Sequence, residues 1–141
     1  MRKVLSVVVL GIALALPMRA ALACGFCIED KIAAVYDHRV VVQAVAQKHH
    51  VAFFGLDGRL AGSAAEARNL ERIVGTAFGV DPGSVRVSIE SAALSVAFDP
   101  GAVSFGTLHR SVQKKLTPRG LALLPLRVMD RPGELKTAAR P

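Results

Sequence analysis

The chain has 141 residues, 52% of them hydrophobic but only 5% aromatic, and a formal net charge of +7. That length suits one small domain rather than two. The positive charge is scattered, with no aromatic-interleaved basic stripe, which argues against a nucleic-acid face. With Cys24 and Cys27 as the only cysteines, a disulfide framework is excluded as the source of stability.

Met1-Arg2-Lys3 precedes an apolar run from Val4 to Leu16, then Pro17 and the small-residue end Ala21-Leu22-Ala23. A basic start, a short apolar stretch and an Ala-x-Ala end predict a secretory signal peptide over 1–23, cleaved near Ala23. Pro17 and Arg19 interrupt the run, which falls short of the roughly 20 apolar residues a membrane span needs. The expected location is therefore periplasmic or secreted, with no stable span in the mature form. Removing Arg2, Lys3 and Arg19 takes three of the 18 basic residues, leaving 15 against 11 acidic.

After the cysteines, Ile28, Ile32, Val35 and Tyr36 recur at helical spacing over 26–36. Asp37 is placed to cap a second helix running to about Lys48, although the β-branched run Val40-Val41-Val42 would also suit a strand. Residues 24–48 thus form an expected helical extension carrying the cysteine pair.

Residues 49–56 read as a buried strand closed by Asp57-Gly58. Ser63 to Phe78 is an amphipathic helix with Leu70 and Val74 inward. Val85, Val87 and Ile89 alternate with polar residues, and Leu94, Val96 and Phe98 repeat the pattern, so the two strands predict a hairpin. A further helix starts at Ser104 with Leu108, Val112 and Leu116 on one side, and Leu121–Met129 is a last strand. The segment DRPGELKTAARP has little apolar surface, so 131–141 is expected to be a disordered tail. The order β-α-β-β-α-β over 49–130 predicts an α+β ferredoxin-like sandwich, with one antiparallel sheet, both crossover helices on one face and the other face solvated.

Within Val51–Met129, the stretch GVDPGSVRVSIESAALSVAFDPGAVSFGTLHRSV (residues 79–112) resembles the heavy-metal-associated domain family. These are the ferredoxin-like modules of copper chaperones, metal-transporting ATPases and mercury-binding periplasmic proteins. The resemblance rests on Gly79-Val80 before an alternating strand, on Val85-Arg86-Val87 and on Phe98-Asp99-Pro100. It implies the same fold and a soft-metal cargo. The family holds its metal by a Cys-x-x-Cys in the loop after the first strand, following Gly-Met. Here that loop reads GLDGRLAG, so Gly58 and Ala61 stand at the ligand positions and neither can bind a soft metal.

The pair Cys24-Gly25-Phe26-Cys27 is then the candidate clamp, moved to the mature N-terminus. Two thiolates so spaced can bend around one ion and select copper(I), zinc or mercury over hard cations. The freed α-amine of Cys24 and a helix starting near Phe26 would both favour metal ligation. The same chemistry serves a thiol-disulfide redox pair, though thioredoxin-like domains place the motif after a core strand. Lipidation of Cys24 fits poorly with Ala21 three residues upstream, and a small local disulfide is the plainest alternative.

His38, His49 and His50 are further ligand candidates if the extension folds back over the sheet edge. Otherwise adjacent histidines at a strand entry are solvated or backbone-bonded, and His109 is expected at the surface. Glu29 and Asp30 read as complements to the helix N-terminus. No Gly-x-Ser-x-Gly elbow or phosphate loop is present. The expected function is non-enzymatic soft-metal binding or relay, copper(I) first, with a metal-donor or metal-acceptor protein as partner. A redox protein or a non-catalytic interaction module is the alternative.

Overall fold

A computed structural model describes residues 27–138. The expected signal peptide over 1–23, Cys24 and the last three residues lie outside the described residues. The described elements are α1 (Ile28–Val35), α2 (His38–Ala46), β1 (His50–Asp57), α3 (Ala64–Val74), β2 (Arg86–Ser88), β3 (Ala93–Phe98), α4 (Phe105–Leu116), β4 (Ala122–Arg131) and β5 (Glu134–Thr137).

Local chemistry sets the helix boundaries. Asp37 Oδ1 accepts from the amides of Arg39 and Val40 at the start of α2. Ser63 and Ser104 accept from Glu66 and Thr107 at the starts of α3 and α4. Each side chain satisfies donors that the first helical turn leaves unpaired. The Val40–Val42 run is helical, not extended. Val40, Val41 and Ala44 form a buried stripe against the sheet while Val42 is 45% exposed, and this packing outweighs the modest helical penalty of β-branching.

The sheet order is β2-β3-β1-β4-β5, every pair antiparallel. From β1 to β4 this is the split β-α-β arrangement with β1 and β3 central, so the fold is α+β and ferredoxin-like, as the element order predicts. Even-numbered residues of β1 (Ala52, Phe54, Leu56) and Leu94, Val96 and Phe98 of β3 pack under α3 and α4 with Leu70, Val74, Leu108, Val112 and Leu116.

The opposite face is not solvated. Val51, Phe53, Ala93, Ala97 and Met129 pack against Ile32, Val35, Val40, Val41 and Ala44 of α1 and α2. The sheet is thus sandwiched between two helical layers, a correction to the one-faced expectation. Its physical basis is the small stripe Ala93-Ser95-Ala97, which lets α1 and α2 lie close. Ser95 is 1% exposed, and its hydroxyl donates to Val35 O at 2.8 Å, occupying a carbonyl at the end of α1.

The tail also differs from expectation. Arg131 pairs with Glu134 across Pro132-Gly133, and Gly133 has φ +79°. Proline then glycine at positive φ is a type II turn pattern, and it folds Glu134–Thr137 back as a fifth strand on β4. Backbone pairing supplies what the few apolar side chains do not.

Candidate metal centre

Cys27 is the residue before α1. Its thiol is exposed and makes no disulfide among the described residues, and its carbonyl accepts from Lys31 N–H at 3.1 Å. The sulfur therefore stands at a helix start, as the spacing predicts, with Glu29 and Asp30 in the first turn.

Lys31 fixes where that helix start lies. Its Nζ donates to Ser91 O at 2.6 Å and to Ala92 O at 3.2 Å, and its stem passes 3.9 Å from where a Cβ on Gly55 would stand. Ala92 O also accepts from Leu56 N–H at 2.8 Å. Farther along α1, Val35 meets Ser95 near the middle of β3. The helix thus runs over β3 away from the turn between β2 and β3, and Cys27 lies one helical turn beyond Lys31. This is the end of the sheet where β1 finishes and the β1–α3 loop begins.

That loop is closed. Gly58 has φ +128°, and a Cβ there would stand 2.6 Å from Gly120 O. Glu66 carries its carboxylate back to Ala61 N–H, while its own amide is held by Ser63. Gly58 and Ala61 therefore offer no ligand, and Gly58 has no room for one in this conformation.

The histidines do not gather around Cys27. His38 opens α2, with its ring Nδ1 3.4 Å from the Tyr36 hydroxyl. His49 and His50 lie at the start of β1, about 25 Å along the strand from its far end. His49 Nδ1 is 2.6 Å from Asp81 Oδ2 and its Nε2 is 4.0 Å from Asp99 Oδ2. His50 meets Phe98 edge-on with ring centroids 5.8 Å apart. His109 is half-buried instead of a surface residue: Nε2 lies 2.9 Å from Leu123 O, and the ring packs beside Phe54. Among the described residues no group of three or more His, Cys, Asp or Glu side chains could hold a metal ion.

The cluster of His49, Asp81 and Asp99 was missed from the sequence because Asp81 lies 32 residues from His49, a proximity created only by strand pairing. Asp37 was identified as a cap but has a second role. Arg86 Nε donates to its Oδ2 at 2.8 Å, tying α2 to β2. That hydrogen bond, with help from Val40 N–H, holds the Asp37 carboxyl below the ordinary carboxylate range.

No protein-family model and no curated protein sequence matches the chain. Among solved structures it is similar to oxidized MerP from Ralstonia metallidurans CH34, at 18% identity over 55% of this chain and 96% of that one, with a TM-score of 0.42. It is similar to a copper binding domain from HMA7, a P-type ATPase, at 19% identity over 55% and 93%, with a TM-score of 0.42. A third is the N-terminal domain of a potential copper-translocating P-type ATPase from Bacillus subtilis in its Cu(I)-loaded state, at 22% identity over 65% and 99%, with a TM-score of 0.43. At these values the likenesses carry no argument, and the fold assignment rests on the strand order and register above. Among the described residues no helix is long and apolar enough to cross a membrane.

Proposed function

We propose that this protein binds a soft metal ion through the thiolates of Cys24 and Cys27 and passes it on by ligand exchange. Copper(I) is the foremost cargo, with mercury or zinc behind it. The observation that supports this reading is the exposed thiol of Cys27 at the start of α1, at the sheet end that also bears the closed β1–α3 loop. A thiolate there is open to an incoming partner, and soft sulfur donors select these ions. In this reading residues 1–23 are removed on export and the protein works in the periplasm or outside the cell. It catalyses no reaction and meets a metal-donor or metal-acceptor protein, with neither nucleic acid nor a stable membrane span involved.

Transfer would proceed as a partner thiolate joins the ion while one of these sulfurs leaves, the second following in turn. Metal binding displaces the thiol protons, so affinity falls as pH drops. A second reading, a non-catalytic interaction module, draws on the loop closed around Gly58 and Glu66.

Anaerobic titration of the reduced protein with Cu(I) tests the proposal. The expected result is about one equivalent bound, lost in a Cys24→Ser/Cys27→Ser variant. Binding unchanged in that variant, or no binding at all, overturns it. Turnover in a disulfide-reduction assay without metal binding would identify the pair as redox-active. Silence in both assays would leave the interaction module.

A further inference from the structure

Part of the sheet face beneath α1 and α2 stays bare. Those helices pack mainly on β1 and β3, and α1 also reaches β2. Leu124 lies opposite Gly55 and Leu135 opposite Met129, which sets both on the face that carries Phe53 and Met129. They are 49% and 40% exposed, and Leu126 near them is only partly buried. Gly55 has no side chain, so the floor between Leu124, Leu126 and the Lys31 stem is shallow and apolar.

The course of α1 shows which part of the chain arrives at this patch. At its C-terminal end Val35 O accepts from Ser95 in β3, and Asp37 just beyond meets Arg86 in β2. At its N-terminal end the Lys31 stem comes within 3.9 Å of the Cβ position on Gly55, and Leu124 Cβ within 3.7 Å of the same point. The helix is therefore diagonal to the strands, and continued backward from Ile28 it leads out over β4. Residues 24–26, Cys-Gly-Phe, join Cys27 at that corner and lie outside the described residues. Extended chain advances about 3.3 Å per residue and strands lie about 4.8 Å apart, so this segment is long enough to cross β4. Phe26 is the only aromatic residue ahead of Tyr36, and it directly precedes Cys27.

We infer that Phe26 lies on the Leu124–Leu126 patch and thereby positions the Cys24–Cys27 pair before a metal arrives. Seating the ring removes apolar surface from water on both sides of the contact. It leaves Gly25 to make the bend that brings Cys24 back toward Cys27. A pair ordered in advance loses less conformational freedom when it closes on an ion. Phe26 is thus a positioning residue, not a ligand. The seat itself stands on the apolar face alone, whereas its effect on affinity rests on the soft-metal reading above.

The chain has no tryptophan, so Phe26→Trp supplies a single reporter in the reduced, metal-free protein. Phe78→Trp, at a site 70% exposed, is the solvated reference. The expected result is blue-shifted emission from Phe26→Trp and about half the acrylamide quenching of the reference, because a seated ring is shielded over one face. Adding Leu124→Gln should return both signals to the reference, and Leu124→Met should preserve them; Leu124 is exposed enough for either change to leave the core intact. In the chain with Phe26 retained, Leu124→Gln should weaken Cu(I) binding about threefold, with Leu124→Met restoring it, as the loss of pre-ordering requires. Solvated emission from Phe26→Trp, or protection that survives Leu124→Gln, overturns the seat. Protection that fades on dilution assigns the patch to a second copy of the chain and overturns it too. A seated ring with Cu(I) affinity unchanged by Leu124→Gln overturns the positioning role. Because the fluorescence is read without metal, failure of the seat and failure of metal binding register separately.

Discussion

The two faces of the sheet are buried by different means. Under α3 and α4 the strands present Phe54, Leu94, Val96 and Phe98, and large side chains interdigitate. Phe54 stacks on Phe105 with ring centroids 5.7 Å apart. Under α1 and α2, β3 presents only Ala93, Ser95 and Ala97, so helix and sheet approach closely and specific polar ties add to the packing. These are Ser95 to Val35 O, Lys31 to the carbonyls of Ser91 and Ala92, and Arg86 to Asp37. One face is held mainly by volume, the other by close fit and placed hydrogen bonds.

The largest expected contrast comes from two neighbours in β1. Phe54→Ala and Phe53→Ala each empty a fully buried site, and each should cost about 3–5 kcal/mol in urea unfolding. Native-state hydrogen exchange separates them. Phe53→Ala should release α1 and α2 before the rest, whereas Phe54→Ala should lower protection everywhere. Equal loss of protection throughout in both variants would make the two layers one cooperative unit.

Ala97→Leu should destabilise by about 1–3 kcal/mol through overpacking, with lost protection confined to the α1/α2 layer. Unchanged protection there would mean the small stripe is not what seats those helices. Ser95→Ala removes a buried donor and leaves Val35 O unpaired, an effect of about 1 kcal/mol in thermal or urea unfolding.

The smallest effect is that of Arg86. Because the folded Asp37 carboxyl lies below its ordinary range, the tie stabilises the protein above about pH 4 and fades as pH falls below that value. Arg86→Gln should cost about 0.5 kcal/mol at neutral pH, since both partners are partly exposed. It should also flatten the decline of stability with acid; an unaltered acid profile would count against the tie.

This contrast also explains what the sequence made legible. Leu94, Val96 and Phe98 alternate with small or polar residues, so the α3/α4 face, the hairpin and both crossover helices could be read from periodicity. The same alternation misled on the other face. Ala93, Ser95 and Ala97 look like a solvent-facing row, and only the helices that cover them reveal otherwise. Val40–Val42 was ambiguous because β-branching favours a strand while the cap at Asp37 favours a helix; packing decided it. Pro132-Gly133 carried a turn signal that the polar composition around it obscured. At the candidate site, the helix start at Cys27 followed from spacing. The distance between Cys27 and His49 or His50 did not, because it depends on the direction in which α1 crosses the sheet.

The short β5 has a bearing on solubility. It covers part of the outer edge of β4, a ten-residue strand bearing Leu124, Leu126 and Val128. In its place it offers a four-residue rim with Glu134 and Lys136. Charged, abbreviated rims resist joining strands of other molecules. A chain cut after Asp130 would bare the longer edge and should self-associate in light scattering where the full chain stays dispersed.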